Sequence, residues 1–132
     1  MMKDPAIREA ISLTEVWGSV DDSMLAQGCI VARTDYIREN PQAVAAFLAA
    51  YEQSLAYMIA EENREDAAAL VAQYGITAND KIAAKAIPSC NLTFITGAEM
   101  KTVLNAFYSV MYQANPASIG GAMPDDAFYY GG

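Results

Sequence analysis

ENPQAVAAFLAAYEQSLAYMIAEE, residues 39–62, repeats its apolar side chains at the spacing of a helix. Val44, Phe47, Leu48, Tyr51, Leu55, Met58 and Ile59 fall on one stripe, three and four residues apart. Alanines between them favour helix and allow close packing. Asn40 is placed to cap the helix, and Pro41 suits its first position, where a missing N–H costs nothing. The pattern predicts a helix over 41–61 whose stripe faces a core. Its polar side carries Glu and Gln rather than the Lys and Arg of a membrane-surface helix.

Similar signals continue downstream. In NREDAAALVAQYG, Asn63 is a candidate cap and Glu65 and Asp66 occupy the first turn, where the helix dipole favours negative charge. Ala67, Leu70, Val71 and Tyr74 form the buried side, and Gly75 reads as a stop. A shorter helix is expected over 79–86, with Thr77 and Asp80 spaced as a capping box and Pro88 ending it. Thr96 and Glu99 repeat that spacing before a last long helix, 98–114, striped by Met100, Val103, Leu104, Phe107 and Met111. Asn115-Pro116 stops it.

Strand signals are few. QGCIVAR, residues 27–33, is the best, because Cys29, Ile30, Val31 and Ala32 form a short apolar run. Leu92 to Thr96 reads as a short strand or an extended connector. Upstream, Asp4-Pro5 can start a short helix through Leu13, and Thr34 can cap a helical turn. The fold class is therefore mainly α with one or two short strands.

Composition narrows the function. Hydrophobic residues make up 54% of the chain and charged residues 18%, which favours a packed core over disorder. A net charge of -8 argues against nucleic acid and against anionic membrane surfaces. Without histidine the chain lacks the commonest general base and transition-metal ligand. Cys29 and Cys90 lack zinc-site spacing and read as two separately buried thiols; a single bridge would need an oxidising compartment. MMKDPAIREA has no apolar h-region, so no signal peptide is read there.

No phosphate loop, dinucleotide fingerprint, nucleophile elbow or calcium loop is present. The pairs Asp21-Asp22 and Asp125-Asp126 read as solvated or capping carboxylates, and no metal or cofactor is expected. The chain is read as a non-enzyme. Trp17, the only tryptophan, stands in EVWGSVDDS, a Gly/Ser/Asp-rich stretch of the kind that contacts ligands. Trp17 is either a packing anchor or the lip of a small-molecule site, with Asp21, Ser23 and Gln27 offering hydrogen bonds beside it.

Four stretches in order resemble the solute-binding proteins of ABC transporters, in the branch for nitrate, sulfonate, taurine and thiamine-precursor uptake. They are GCIVARTDYIRENP, NPQAVAAFLAAYEQSLAYM, NREDAAALVAQYG, and AIPSCNLTFITGAEMKTVLNAFYSVMY with NPASIGGAMPDDAFYY. The resemblance implies the C-terminal part of a bilobal periplasmic-binding-protein (type II) α/β fold. Residues 1–33 would be the remnant of the second lobe and the crossing strand. Residues 34–132 would be helices that pack on the first lobe, ending in the tail 115–132.

It also implies the substrate-binding component of an importer for a small anionic or heterocyclic solute such as a sulfonate, nitrate or pyrimidine. The complete protein would bind that solute, with Trp17, Asp21 and Ser23 as ligand-binding residues, and dock on an ABC permease. The location implied is periplasmic or extracytoplasmic. The competing function is a stand-alone helical interaction module with no small-molecule ligand. Helices shaped to cover an absent sheet lead to the expectation of a homodimer or higher oligomer, against a compact four-helix monomer. In the tail, turns are expected at Gly120-Gly121 and Pro124, and Phe128 to Tyr130 should bury as an aromatic anchor.

Overall fold

In a computed structural model of the chain, residue 6 and residues 8–131 are described. The molecule is mainly helical, with α1 (Leu13–Trp17), α2 (Thr34–Glu39), α3 (Pro41–Ile59), α4 (Arg64–Gln73), α5 (Asp80–Ala86) and α6 (Gly97–Ala114). Among the described residues no single helix is long and apolar enough to cross a membrane. Backbone proximity groups the chain into two units: Val31–Phe94, and the described residues up to Ile30 together with those from Ile95 onward.

The first unit is built on alanine. Ala67 and Ala68 of α4 and Ala83 of α5 are fully or almost fully buried, and Ile87 joins them just past α5. Side chains this small let two helix backbones approach closely, so α4 and α5 pair tightly. Met58, Val71 and Ala84 pack around this cluster. The chain turns between α3 and α4 through a 3-10 turn, Glu61–Asn63, and the two helical runs meet at 83°. Leu55 is the buried residue of α3. Farther along that helix Phe47 stacks on Tyr51, and Tyr51 meets Phe94.

The second unit is organised on α6, where Leu104 is buried and every residue from Val103 to Met111 is at least half-buried. The chain folds back after it through a 3-10 turn, Pro116–Ile119, N-capped by Asn115, whose side chain accepts from the Ala117 N–H at 3.1 Å. Gly120 (φ 84°) and Gly121 (φ 88°) close that turn in the left-handed region that only glycine enters cheaply. The tail then returns. Tyr129 is 5% exposed, and its hydroxyl donates to Asn105 Oδ1 at 2.8 Å.

Several sequence expectations are corrected. The strand expected at 27–33 does not form, and 92–96 is the extended connector rather than a strand; no strand exists among the described residues. β-forming side chains set a preference, but a strand exists only with a neighbour to share its ladder, and these segments have none. The expected helix start at Asp4-Pro5 lies outside the described residues. Residues 8–11 are not helical, and the first helix begins at Leu13, capped by Ser12.

Cys29 and Cys90 are exposed, not buried. Capping also differs. Asn79 rather than Thr77 caps α5, accepting from the Ile82 N–H at 3.0 Å. Asn40, Asn63 and Thr96 make no side-chain cap bond. Asn40 and Asn63 instead donate to the carbonyls of Tyr36 and Tyr57. Of the three tail aromatics only Tyr129 buries; Phe128 and Tyr130 stay exposed.

Candidate functional site

Trp17 ends α1, so its carbonyl is free to accept from the following turn. The N–H groups of Val20 and Asp21 both donate to it, at 2.8 and 3.0 Å. This doubled bond folds Asp21 back toward the tryptophan. The Asp21 carboxylate in turn accepts from the Ser23 N–H at 2.8 Å, the two-residue reach typical of an aspartate turn. The three residues expected at a site are thus linked in series by their own backbone.

The Trp17 ring rests on Phe107 of α6, with centroids 5.6 Å apart and planes tilted by 38°. Its role as a packing anchor is therefore real. Yet the indole Nε1 and the Ser23 Oγ are both buried and have no hydrogen-bond partner. Leaving a buried donor unpaired costs about 1–3 kcal/mol, so two such atoms on residues six apart mark a place where the chain's own bonding is incomplete. Gln27 is exposed and is not drawn in.

Ser23 holds the Asp21 carboxyl below its ordinary value, by its hydroxyl first and its N–H second. The N–H bond is the well-formed one; the hydroxyl lies close to the carboxylate without meeting hydrogen-bond geometry. Asp21 is accordingly an ionised acceptor at neutral pH, while Trp17 and Ser23 supply donors.

Sequence reasoning assigned Phe107 to a helix stripe and did not connect it with Trp17. Ninety residues separate them, and no local spacing reports such a contact. Tyr108, next to it, is also part of this unit. Burial raises its phenol pKa, with smaller contributions from the Cys29 thiol and Tyr129.

The other acidic pair behaves as a surface feature. Asp126 forms an ion pair with Lys101 at 3.0 Å. No group of three or more His, Cys, Asp or Glu side chains that could hold a metal exists among the described residues. In the Val31–Phe94 unit an open cavity of about 310 Å³ is lined by Ile59, Arg64, Ile87, Pro88, Asn91 and Leu92, and it includes none of the expected site residues.

The family described as NMT1/THI5 like matches residues 19–67. That stretch runs from just after Trp17, through Asp21 and Ser23, across α2 and α3 and into α4. No curated relative and no solved structure matches the chain. The mainly helical architecture fits the C-terminal region of a periplasmic-binding-protein fold. The match supports the nitrate, sulfonate and thiamine-precursor binding-protein family, and with it a solute-binding role in transport or precursor binding.

Proposed function

We propose that this chain is the C-terminal, non-enzymatic part of the substrate-binding component of an ABC-type importer, acting outside the cytoplasmic membrane. In the complete protein, ligand would close two lobes and the closed form would dock on the permease. The observation that carries the ligand site is the pair of buried, unpartnered polar atoms, Trp17 Nε1 and Ser23 Oγ, on either side of the Asp21 turn. A solute acceptor that reached either atom would complete a bond that the chain itself leaves open.

The same residues rank the solute classes. Two neutral donors suit a sulfonate, a nitrate or a ring nitrogen. The ionised Asp21 opposes an anion and favours a ligand that also offers an N–H. A pyrimidine therefore fits better than nitrate or a sulfonate.

Titration of the chain with an aminopyrimidine, taurine and nitrate, followed by calorimetry and by the tryptophan emission of Trp17, tests this. The expected result is a response to the pyrimidine that is lost in Ser23→Ala and weakened in Asp21→Asn. A response, in this chain or in the complete protein, that Trp17→Phe and Ser23→Ala leave intact removes these residues from the site.

A stand-alone helical interaction module is the second reading. It is favoured by the exposed apolar side chains of α3, Phe47, Tyr57 and Ile59. It predicts that all three solutes leave the chain unchanged while self-association or a partner protects α3 from amide exchange.

A further inference from the structure

Trp17, Asp21 and Ser23 are tied to one another by their own backbone, but those bonds are local and do not place them on the rest of the molecule. Helix α1 is only five residues long, too short to hold a position by itself. Its N-cap bond, from the Glu15 N–H to Ser12 Oγ, is long at 3.4 Å. The placement must come from a longer element. The Trp17 ring reaches one, packing on Phe107 of α6 with centroids 5.6 Å apart. Both rings lie in the unit made of the described residues up to Ile30 and from Ile95 onward, so the contact belongs to that unit alone.

We propose that Phe107 is a positioning residue of the ligand site, holding the Trp17 indole in its binding orientation without touching the ligand. This rests on the reading of Trp17, Asp21 and Ser23 as that site.

Three features favour the role. First, Phe107 is itself fixed. It is half-buried on the helix whose Leu104 is buried, and its ring also meets Tyr108 at 6.1 Å. Tyr108 meets Phe128 at 6.2 Å, and one turn back Asn105 accepts from the Tyr129 hydroxyl at 2.8 Å. The support therefore does not follow the indole if the indole moves.

Second, a hydrocarbon ring has no acceptor to offer. It can fix the indole without using the Nε1 donor, which stays buried and unpartnered. Third, holding Trp17 holds the other two residues. The Val20 and Asp21 N–H groups both donate to the Trp17 carbonyl, and the Asp21 carboxylate accepts from the Ser23 N–H. A side chain already held in its bound orientation does not have to be ordered when ligand arrives, and affinity gains by that amount.

Trp17 is the sole tryptophan, so indole emission and its quenching by acrylamide report its surroundings directly. Phe107→Leu keeps apolar bulk but removes the flat face. Helix content should be unchanged and quenching of Trp17 should rise. Affinity for the aminopyrimidine, in this chain or in the complete protein, should fall about threefold to tenfold. Phe107→Tyr keeps the face and should bind like the unsubstituted protein. Leu104→Ala weakens the same helix and should lower the melting temperature more than Phe107→Leu, yet leave quenching and affinity unchanged well below the melt.

If Phe107→Leu fails to fold, nuclear Overhauser contacts between the Trp17 and Phe107 rings decide: they should persist when the aminopyrimidine is added, and their loss overturns the proposal. Unweakened binding by Phe107→Leu overturns it too, as does an equal loss of affinity in Leu104→Ala. A response that Trp17→Phe leaves intact is a different failure, because it removes the site itself and the role of Phe107 with it.

Discussion

Helices α3 and α6 are nearly equal in length and carry the same kind of apolar stripe, yet they end up in opposite surroundings. Each buries one leucine, Leu55 or Leu104. Around Leu104, α6 is covered on several sides. Trp17 lies on Phe107, Phe128 meets Tyr108 edge-on, and Tyr129 bonds Asn105. Around Leu55, α3 keeps Phe47, Tyr57 and Ile59 exposed. The difference lies outside both helices. The segment after α6 turns back at Gly120-Gly121 and lays its aromatics on the helix, whereas α3 is followed by a sharp turn into α4. An apolar stripe specifies that a face will be covered; another segment must supply the cover.

Removing that cover should have the largest effect. Tyr129→Ala deletes a buried ring and the hydrogen bond to Asn105, and is expected to cost about 3–5 kcal/mol, as for other large buried aromatics. Thermal melting followed by near-ultraviolet circular dichroism checks it, and truncation after Met123 should match it. A melting temperature unchanged in both would show that the tail does not hold α6.

A leucine pair sharpens the same contrast. Leu104→Ala empties a buried position and is expected to cost about 2–4 kcal/mol. Leu48→Ala, at a half-buried position on α3, should cost about 1 kcal/mol, because less area returns to water. Equal losses in denaturant titration would mean that the two helices are equally covered.

The helices themselves were legible because their signals are local. Stripes, Pro41, Gly75 and Asn115-Pro116 set the boundaries of α3, α4 and α6 to within a few residues. The 27–33 segment departs from its local signal for the same reason. Its side chains are strand formers, but a ladder needs a neighbour that residue spacing cannot report. Chemical type alone puts Cys29 and Cys90 inside, but both remain exposed, Cys29 beside Tyr108 and Cys90 donating to the Ala86 carbonyl at 3.3 Å. Loop composition alone points to Trp17, Asp21 and Ser23. Their serial hydrogen bonding is local and could be anticipated from the Asp-X-Ser spacing. The burial of Trp17 on Phe107 could not.

A smaller effect isolates the polar half of the tail anchor. Tyr129→Phe keeps the ring and loses the bond to Asn105, for about 1 kcal/mol. Burial raises the phenol pKa of Tyr129 first, and Asp126 adds to it. The folded chain therefore keeps that proton to higher pH than the unfolded chain. This contribution is complete below the ordinary tyrosine value near 10 and is lost as pH rises through the raised one. Tyr108 acts in the same direction. Chemical denaturation between pH 8 and 11.5 should show stability falling above pH 10, less steeply in Tyr129→Phe. Parallel curves for the two proteins would assign the alkaline loss elsewhere.

The smallest expected effect is the one that tests whether α3 is open in solution. Phe47 is half-exposed and stacks on Tyr51, with centroids 5.8 Å apart and planes 12° from parallel. Phe47→Ala removes that pair and little buried area, so a monomer should lose about 0.5–1 kcal/mol. Covered by a partner, the same ring would return far more apolar surface to water, and the cost would rise toward the 3 kcal/mol of a core aromatic. The substitution is best measured at two protein concentrations. A small, concentration-independent loss keeps α3 bare and leaves the contrast with α6 intact. A large loss that grows with concentration would mean that α3 acquires from a second molecule the cover that α6 receives from its own tail.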